Sequence, residues 1–75
     1  MNISIINGPN LNLLGIREPD VYGFSNFDDY LKNLKKSFPK INFDYFQSNI
    51  EGEIIDRLHH VGFKSDGIIL NAAAY

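Results

Sequence analysis

The sequence predicts an α/β domain built on a parallel sheet, and three observations carry that prediction. Short apolar or alternating runs at residues 3–6, 41–46 and 68–70 read as strands. Two stretches between them, from Phe27 to Phe38 and from Ile50 to Val61, repeat apolar residues at helical spacing. The resulting order, β-α-β-α-β, is that of parallel strands joined by right-handed crossovers.

Each element has its own signal. Ile3-Ser4-Ile5-Ile6 is a short apolar run that enters a strand almost at once. Ser25-Asn26-Phe27-Asp28 supplies an N-cap, with Asp28 placed to favour the positive end of a helix. Phe27, Tyr30, Leu31, Leu34 and Phe38 then form one stripe that must face a core, Lys32, Lys35 and Lys36 suit the helix C-terminus, and Pro39 stops the helix. Ile41, Phe43 and Tyr45 alternate with Asn42 and Asp44, as in a strand with one covered face, and Phe46 extends it. Ser48-Asn49-Ile50-Glu51 fits an S-x-x-E capping box that opens a second helix, with Ile50, Ile54, Ile55, Leu58 and Val61 as its stripe. Gly62 is its expected stop, and Ser65-Asp66-Gly67 turns the chain. Ile68-Ile69-Leu70 suits a parallel strand buried on both faces, with Asn71 at its carboxyl end. The expected fold is flavodoxin-like, a three-layer arrangement in which the first strand lies between the second and third. Only the first β-α-β-α-β half is present, as one domain over residues 1–75. The most apolar strand is then left at an edge, where it invites association.

Composition narrows the function. Seventy-five residues, 44% hydrophobic and 13% aromatic, describe one small globular domain rather than a disordered chain. A chain of this size buries only about 60% of its unfolded surface, so the core is thin. A formal charge of -2 offers no electrostatic reason to bind nucleic acid or an anionic membrane. The absence of cysteine excludes disulfides and thiolate metal sites. No run approaches the length of a membrane span, and no basic segment followed by an apolar core opens the chain, so a cytoplasmic protein is expected.

Asn7 to Gly23, NGPNLNLLGIREPDVYG, is the stretch around which the chain is organised. It makes a connection of about seventeen residues where a βα loop usually takes roughly two to six. Leu11, Leu13, Leu14, Ile16, Val21 and Tyr22 make it apolar, and three glycines and two prolines articulate it. Such loops also occur as packed caps without chemistry. Position favours function, because ligands in an open parallel sheet bind outside the carboxyl ends of the strands. The segment at about 11–23 is therefore expected to be an active-site lid.

Familiar chemistry can be set aside. The chain holds no G-x-G-x-x-G and no Walker A motif. Asn71 stands where a phosphoacceptor domain would place an aspartate. His59 and His60 are adjacent on a helix and do not present two ligands on one face, so no metal site is expected. Glu51 and Glu53 are explained by the helix start. What remains is Tyr22, Arg17, Asn10 and Asn71, placed to converge on one crevice. Tyrosine is a poor base at its reference pKa near 10, but a neighbouring guanidinium stabilises phenolate. Neutral amides can donate to an oxyanion or hydroxyl without carrying charge. A base, its activator and neutral donors suit proton abstraction beside a carbonyl; a packed Tyr22 and a solvated Arg17 fit the same residues equally well.

NGPNLNLLGIREPDVYG strongly resembles the N-terminal signature of type II 3-dehydroquinate dehydratase, and FQSNIEGEIID and IILNAAAY resemble that family's next two segments at the expected intervals. The resemblance spans the whole chain. It implies a flavodoxin-like lyase of the shikimate pathway, hence of aromatic amino-acid biosynthesis, that needs no cofactor or metal and assembles as a homo-dodecamer, a tetramer of trimers. The implied reaction is anti elimination of water from 3-dehydroquinate, through an enolate, to 3-dehydroshikimate. By the resemblance Tyr22 is the catalytic base and Arg17 the loop arginine that lowers its pKa. Asn10 helps a bound water stabilise the enolate, and Asn71 binds the substrate hydroxyls. The family's general-acid histidine, its supporting glutamate and a further substrate-binding arginine belong to the C-terminal half, and neither His59 nor His60 matches the acid. The 75 residues alone are therefore expected to be inactive. The alternative is a non-catalytic fragment or scaffold of the same fold that binds ligand or assembles.

Overall fold

A computed structural model describes residues 1–13 and 26–75. Five main elements follow in the order expected: β1 (Asn2–Asn7), α1 (Phe27–Ser37), β2 (Asn42–Gln47), α2 (Glu51–Val61) and β3 (Gly67–Asn71), with a 3-10 turn at Leu11–Leu13. The strands make one parallel sheet in the order β2-β1-β3, so the first strand is central, as the flavodoxin-like order requires. Ile5 is level with Tyr45 on one side and with Ile69 on the other.

Successive side chains of a strand point to opposite faces, and β1 uses both. Ile6 is fully buried and packs with Ile54 and Val61 of α2, with Phe46 and Leu58 closing round them. Ile3, Ile5 and Asn7 face the other way, toward Phe27 and Leu34 of α1. Phe27 stacks on Tyr45 at 4.8 Å between ring centroids, which pins the start of α1 to β2. Ser4 is also buried on the α2 side; its hydroxyl meets Asp44 at 3.3 Å and touches the Ser65 hydroxyl, so this core serine is satisfied. Asp44 in turn receives both Arg57 contacts, at 2.6 and 2.7 Å, and Arg57 lies over the Phe46 ring.

Helix ends follow local chemistry, with one departure from expectation. Asn26 caps α1 by accepting the Asp29 N–H at 2.8 Å. Phe38 leaves the helix in a non-helical conformation because it precedes Pro39. The S-x-x-E capping box at Ser48 is not formed. Ile50 is the N-cap and has no side-chain cap bond, and the Ser48 hydroxyl accepts the Ile50 N–H and bonds Glu53, not Glu51. The helix starts two residues later than a box closed on Glu51 requires, which brings Glu53 over the hydroxyl. Gly62 ends α2 as expected but in a right-handed conformation, so its freedom from a Cβ is not what stops the helix.

Burial also departs from the pattern. Of the α1 stripe only Leu31 is buried, while Tyr30 and Phe38 are about half exposed. They border an apolar groove of about 530 Å³, floored by Ile3, Ile5, Phe43 and Ile68. The α2 stripe is narrower than its sequence suggests: Ile54 and Val61 are buried, and Ile50 and Ile55 are exposed. β3 was expected to be covered on both faces, yet Ile68, Ile69 and Leu70 are all exposed. The common cause is that two helices cannot cover both faces of three strands, and β3 lies at the edge. No helix among the described residues is long and apolar enough to cross a membrane.

Candidate functional site

The carboxyl ends of the three strands are knit together beyond the last ladder residues. Gly8 N–H donates to Asn71 O at 2.8 Å, and Ser48 N–H donates to Asn7 O at 3.1 Å. Each bond extends one pairing of β1 a step further, so the chain leaving β1 is held between the exits of β3 and β2. The approach to β3 is very close: a Cβ on Gly8 would sit 2.5 Å from the Ala72 carbonyl oxygen. Backbone cannot yield as a flexible side chain can. Gly8→Ala is therefore expected to break the Gly8–Asn71 bond or push residues 72–75 away, at about 1–3 kcal/mol as for other overpacked sites. Thermal melts should show a Tm lower by several degrees, and an unchanged Tm would show that this contact relaxes freely.

Asn10 lies just past that clamp, with φ 66°, a left-handed conformation that asparagine tolerates better than most residues. Its N–H donates to Asn49 Oδ1 at 2.9 Å, and its carbonyl accepts the Leu13 N–H at 3.0 Å, closing the 3-10 turn. Its side-chain amide is exposed and has no partner among the described residues. Asn71 ends β3; its Oδ1 accepts the Ala73 N–H at 3.1 Å, and Ala73 is also left-handed at φ 52°. Asn71 is exposed. Asn10 and Asn71 thus leave the same edge of the sheet on neighbouring strands. Arg17 and Tyr22, and most of the lid segment expected at about 11–23, lie outside the described residues.

Sequence reasoning passed over the residues that support these two. Gln47 Nε2 donates to Gly8 O and to Asn49 Oδ1, both at 3.1 Å, with a longer contact to Asn12 Oδ1. The Tyr75 hydroxyl donates to Asn49 O at 2.6 Å. The available signal was positional: polar amides at Asn7, Gln47 and Asn71 close strands that are otherwise largely apolar. Gln47 and Asn49 were legible only as a strand end and a helix approach.

Among the described residues the edge is neutral. Its described side chains are amides and phenols, suited to orienting hydroxyls and donating to a developing oxyanion, not to pairing with charge. Tyr45 is the tyrosine beneath it, hydrogen-bonded by Asn7 Nδ2 at 3.4 Å. Burial pushes its pKa up, the Asn7 bond opposes that, and Asp28 adds to the rise. A raised phenol is harder to ionise near neutrality, so Tyr45 does not suit the part of a base. His59 and His60 are exposed on the last turn of α2, away from this edge.

A parallel α/β sheet whose ligand groups gather at its carboxyl edge belongs to the open, doubly wound class. Comparison with known proteins narrows that class. The family described as Dehydroquinase class II matches residues 1–75. The 3-dehydroquinate dehydratase of Caldicellulosiruptor bescii is 50% identical over 76 residues, covering 97% of this chain and 52% of that protein. A 3-dehydroquinate dehydratase of Clostridium perfringens is 50% identical over 78 residues, covering 100% and 53%. Among solved structures, the type II dehydroquinase from Butyrivibrio crossotus superposes with a TM-score of 0.85 at 44% identity, covering all of this chain and 54% of that one. The type II dehydroquinase from Propionibacterium acnes gives 0.84 at 29% identity. The chain belongs to the type II dehydroquinase family, and it spans about half the length of the curated relatives it matches.

Proposed function

We propose that the whole protein is a hydro-lyase that removes water from 3-dehydroquinate to give 3-dehydroshikimate, in the shikimate pathway. Family membership sets the class of reaction. The observation that carries the reading is that Asn10 and Asn71, two neutral amides, follow one sheet edge, the first with its N–H on the Asn49 side-chain oxygen and the second with its carbonyl on the Gly8 N–H. In the proposed mechanism Tyr22 is the base: its phenolate takes the proton beside the ketone, and the electron pair flows into the carbonyl to form an enolate. Arg17 stabilises that phenolate as a neighbouring cation. Asn10 orients a water that donates to the enolate oxygen, and Asn71 holds the substrate hydroxyls. Collapse of the enolate expels the hydroxyl group anti to the abstracted proton. It leaves as water once protonated by an acid that the 75 residues do not supply. The segment at about 11–23 acts as the lid that carries the base. The proposed setting is the cytoplasm, and the proposed assembly a homo-dodecamer built as a tetramer of trimers, with 3-dehydroquinate as the small-molecule partner.

The 75 residues by themselves support a second reading, a non-catalytic fragment or scaffold, because Ile68, Ile69 and Leu70 are exposed at the edge strand. The two are separated by mixing 3-dehydroquinate with the whole protein and, separately, with a 75-residue chain of verified mass, and following the conjugated enone by its absorbance. Turnover is expected only from the whole protein, and the short chain is expected to be poorly soluble. No turnover by the whole protein overturns the lyase reading, and robust turnover by the short chain overturns the need for an acid from elsewhere.

A further inference from the structure

Asn49, in the turn between β2 and α2, touches both sides of the candidate site. Its Oδ1 accepts the Asn10 N–H at 2.9 Å and a Gln47 Nε2–H at 3.1 Å, and its backbone carbonyl accepts the Tyr75 hydroxyl at 2.6 Å. We infer that Asn49 is a positioning residue that sets the Asn10 loop and the segment after Asn71 in register with each other. This inference rests on the function proposed above.

The need for such a residue is geometric. Asn10 is in the left-handed region, a conformation that an L residue keeps only when its surroundings hold it there. Its carbonyl is tied within its own turn, to Leu13. Its N–H bond to Asn49 is the one that reaches the β2–α2 turn, across 39 positions of sequence. Gln47 donates to the same oxygen while also holding Gly8 O, so the Asn49 carboxamide is oriented before Asn10 reaches it. The Tyr75 hydroxyl brings the exit of β3 to the same residue, two bonds from Asn10. Oδ1 does the work through its lone pairs, which a carboxylate also has and a methyl group lacks. Asn49 is exposed, so replacing it opens no cavity.

The test uses the full-length protein, with hydrogen exchange of the Asn10 amide and steady-state kinetics on 3-dehydroquinate read together. Asn49→Ala is expected to speed Asn10 exchange by about tenfold or more while the Ile5 and Ile6 amides keep their protection. It is expected to lower kcat by about tenfold with KM within about threefold, because a displaced Asn10 loses contacts made in the transition state. Asn49→Asp, which keeps the acceptor oxygen, is expected to restore Asn10 protection and most of kcat. Asn49→Ser, whose hydroxyl is too short to reach, carries the same readout should the alanine variant not fold. The inference is overturned if Asn10 exchange is unchanged in the alanine variant, if alanine and aspartate behave alike, or if protection falls across the whole sheet. A parent protein without turnover would overturn the proposed function; the exchange measurement would still decide the role of Asn49.

Discussion

Tyr22→Phe is expected to abolish turnover of 3-dehydroquinate by the whole protein while leaving affinity for a quinate-like ligand within a few-fold. On the proposed mechanism the variant ring keeps its shape and loses only the oxygen proposed to take the proton, so binding should survive and chemistry should not. Arg17→Ala should also lower kcat sharply, since each pKa unit regained by the tyrosine corresponds to about 1.4 kcal/mol. Arg17→Lys should recover only part, because a flexible ammonium does not reproduce a planar guanidinium. The double variant should be scarcely worse than the worse single one, as for residues that act as a unit. The pH profile of kcat decides the mechanism. A base must be deprotonated to act, so activity rises with pH through its pKa, and without Arg17 that rising limb should move to higher pH. A limb that stays put while KM alone rises would make Arg17 a substrate clamp.

The second large effect is expected in the core. Ile6 is fully buried against Ile54 and Val61, and Ile6→Ala should cost about 2–5 kcal/mol in lost transfer energy and residual cavity. A domain of this size holds only about 4–11 kcal/mol in total, at roughly 0.05–0.15 kcal/mol per residue, so that loss is a large fraction of its stability. Ile6→Val should cost about 0.5–1.5 kcal/mol, and urea midpoints of the two variants give the comparison. If Ile6→Ala melted like the parent, the α2 side of the sheet would not be the core. The contrast with Ile69 is informative, because Ile69 stands level with Ile5 in the ladder yet is 57% exposed.

That contrast shows how far pattern alone reaches. The alternation in β2, the two helical stripes and the apolar run of β3 are local signals, and they placed every strand and helix to within a residue or two. The central position of β1 was legible as well, because β-α-β-α-β leaves few ways to arrange a parallel sheet. The long connection from Asn7 to Gly23 was legible too, and it put Asn10 just beyond the carboxyl end of β1, where the structure has it.

Burial was the tertiary structure's to decide. Tyr30, Ile55 and Ile69 each satisfy a periodic pattern, yet whether such a residue is covered depends on which elements lie over it. The polar contacts followed the same rule. Ser48 was read as partner to Glu51 because their spacing fits a box, but the hydroxyl sits where Glu53 reaches it. Asn49 was read as part of a helix approach, and only the fold brings Asn10 and Tyr75 to it from 39 and 26 positions away. Local sequence determines the period of each element and so its type. Hydrogen bonds between residues this far apart carry no period, and exist only once three strands have been set side by side.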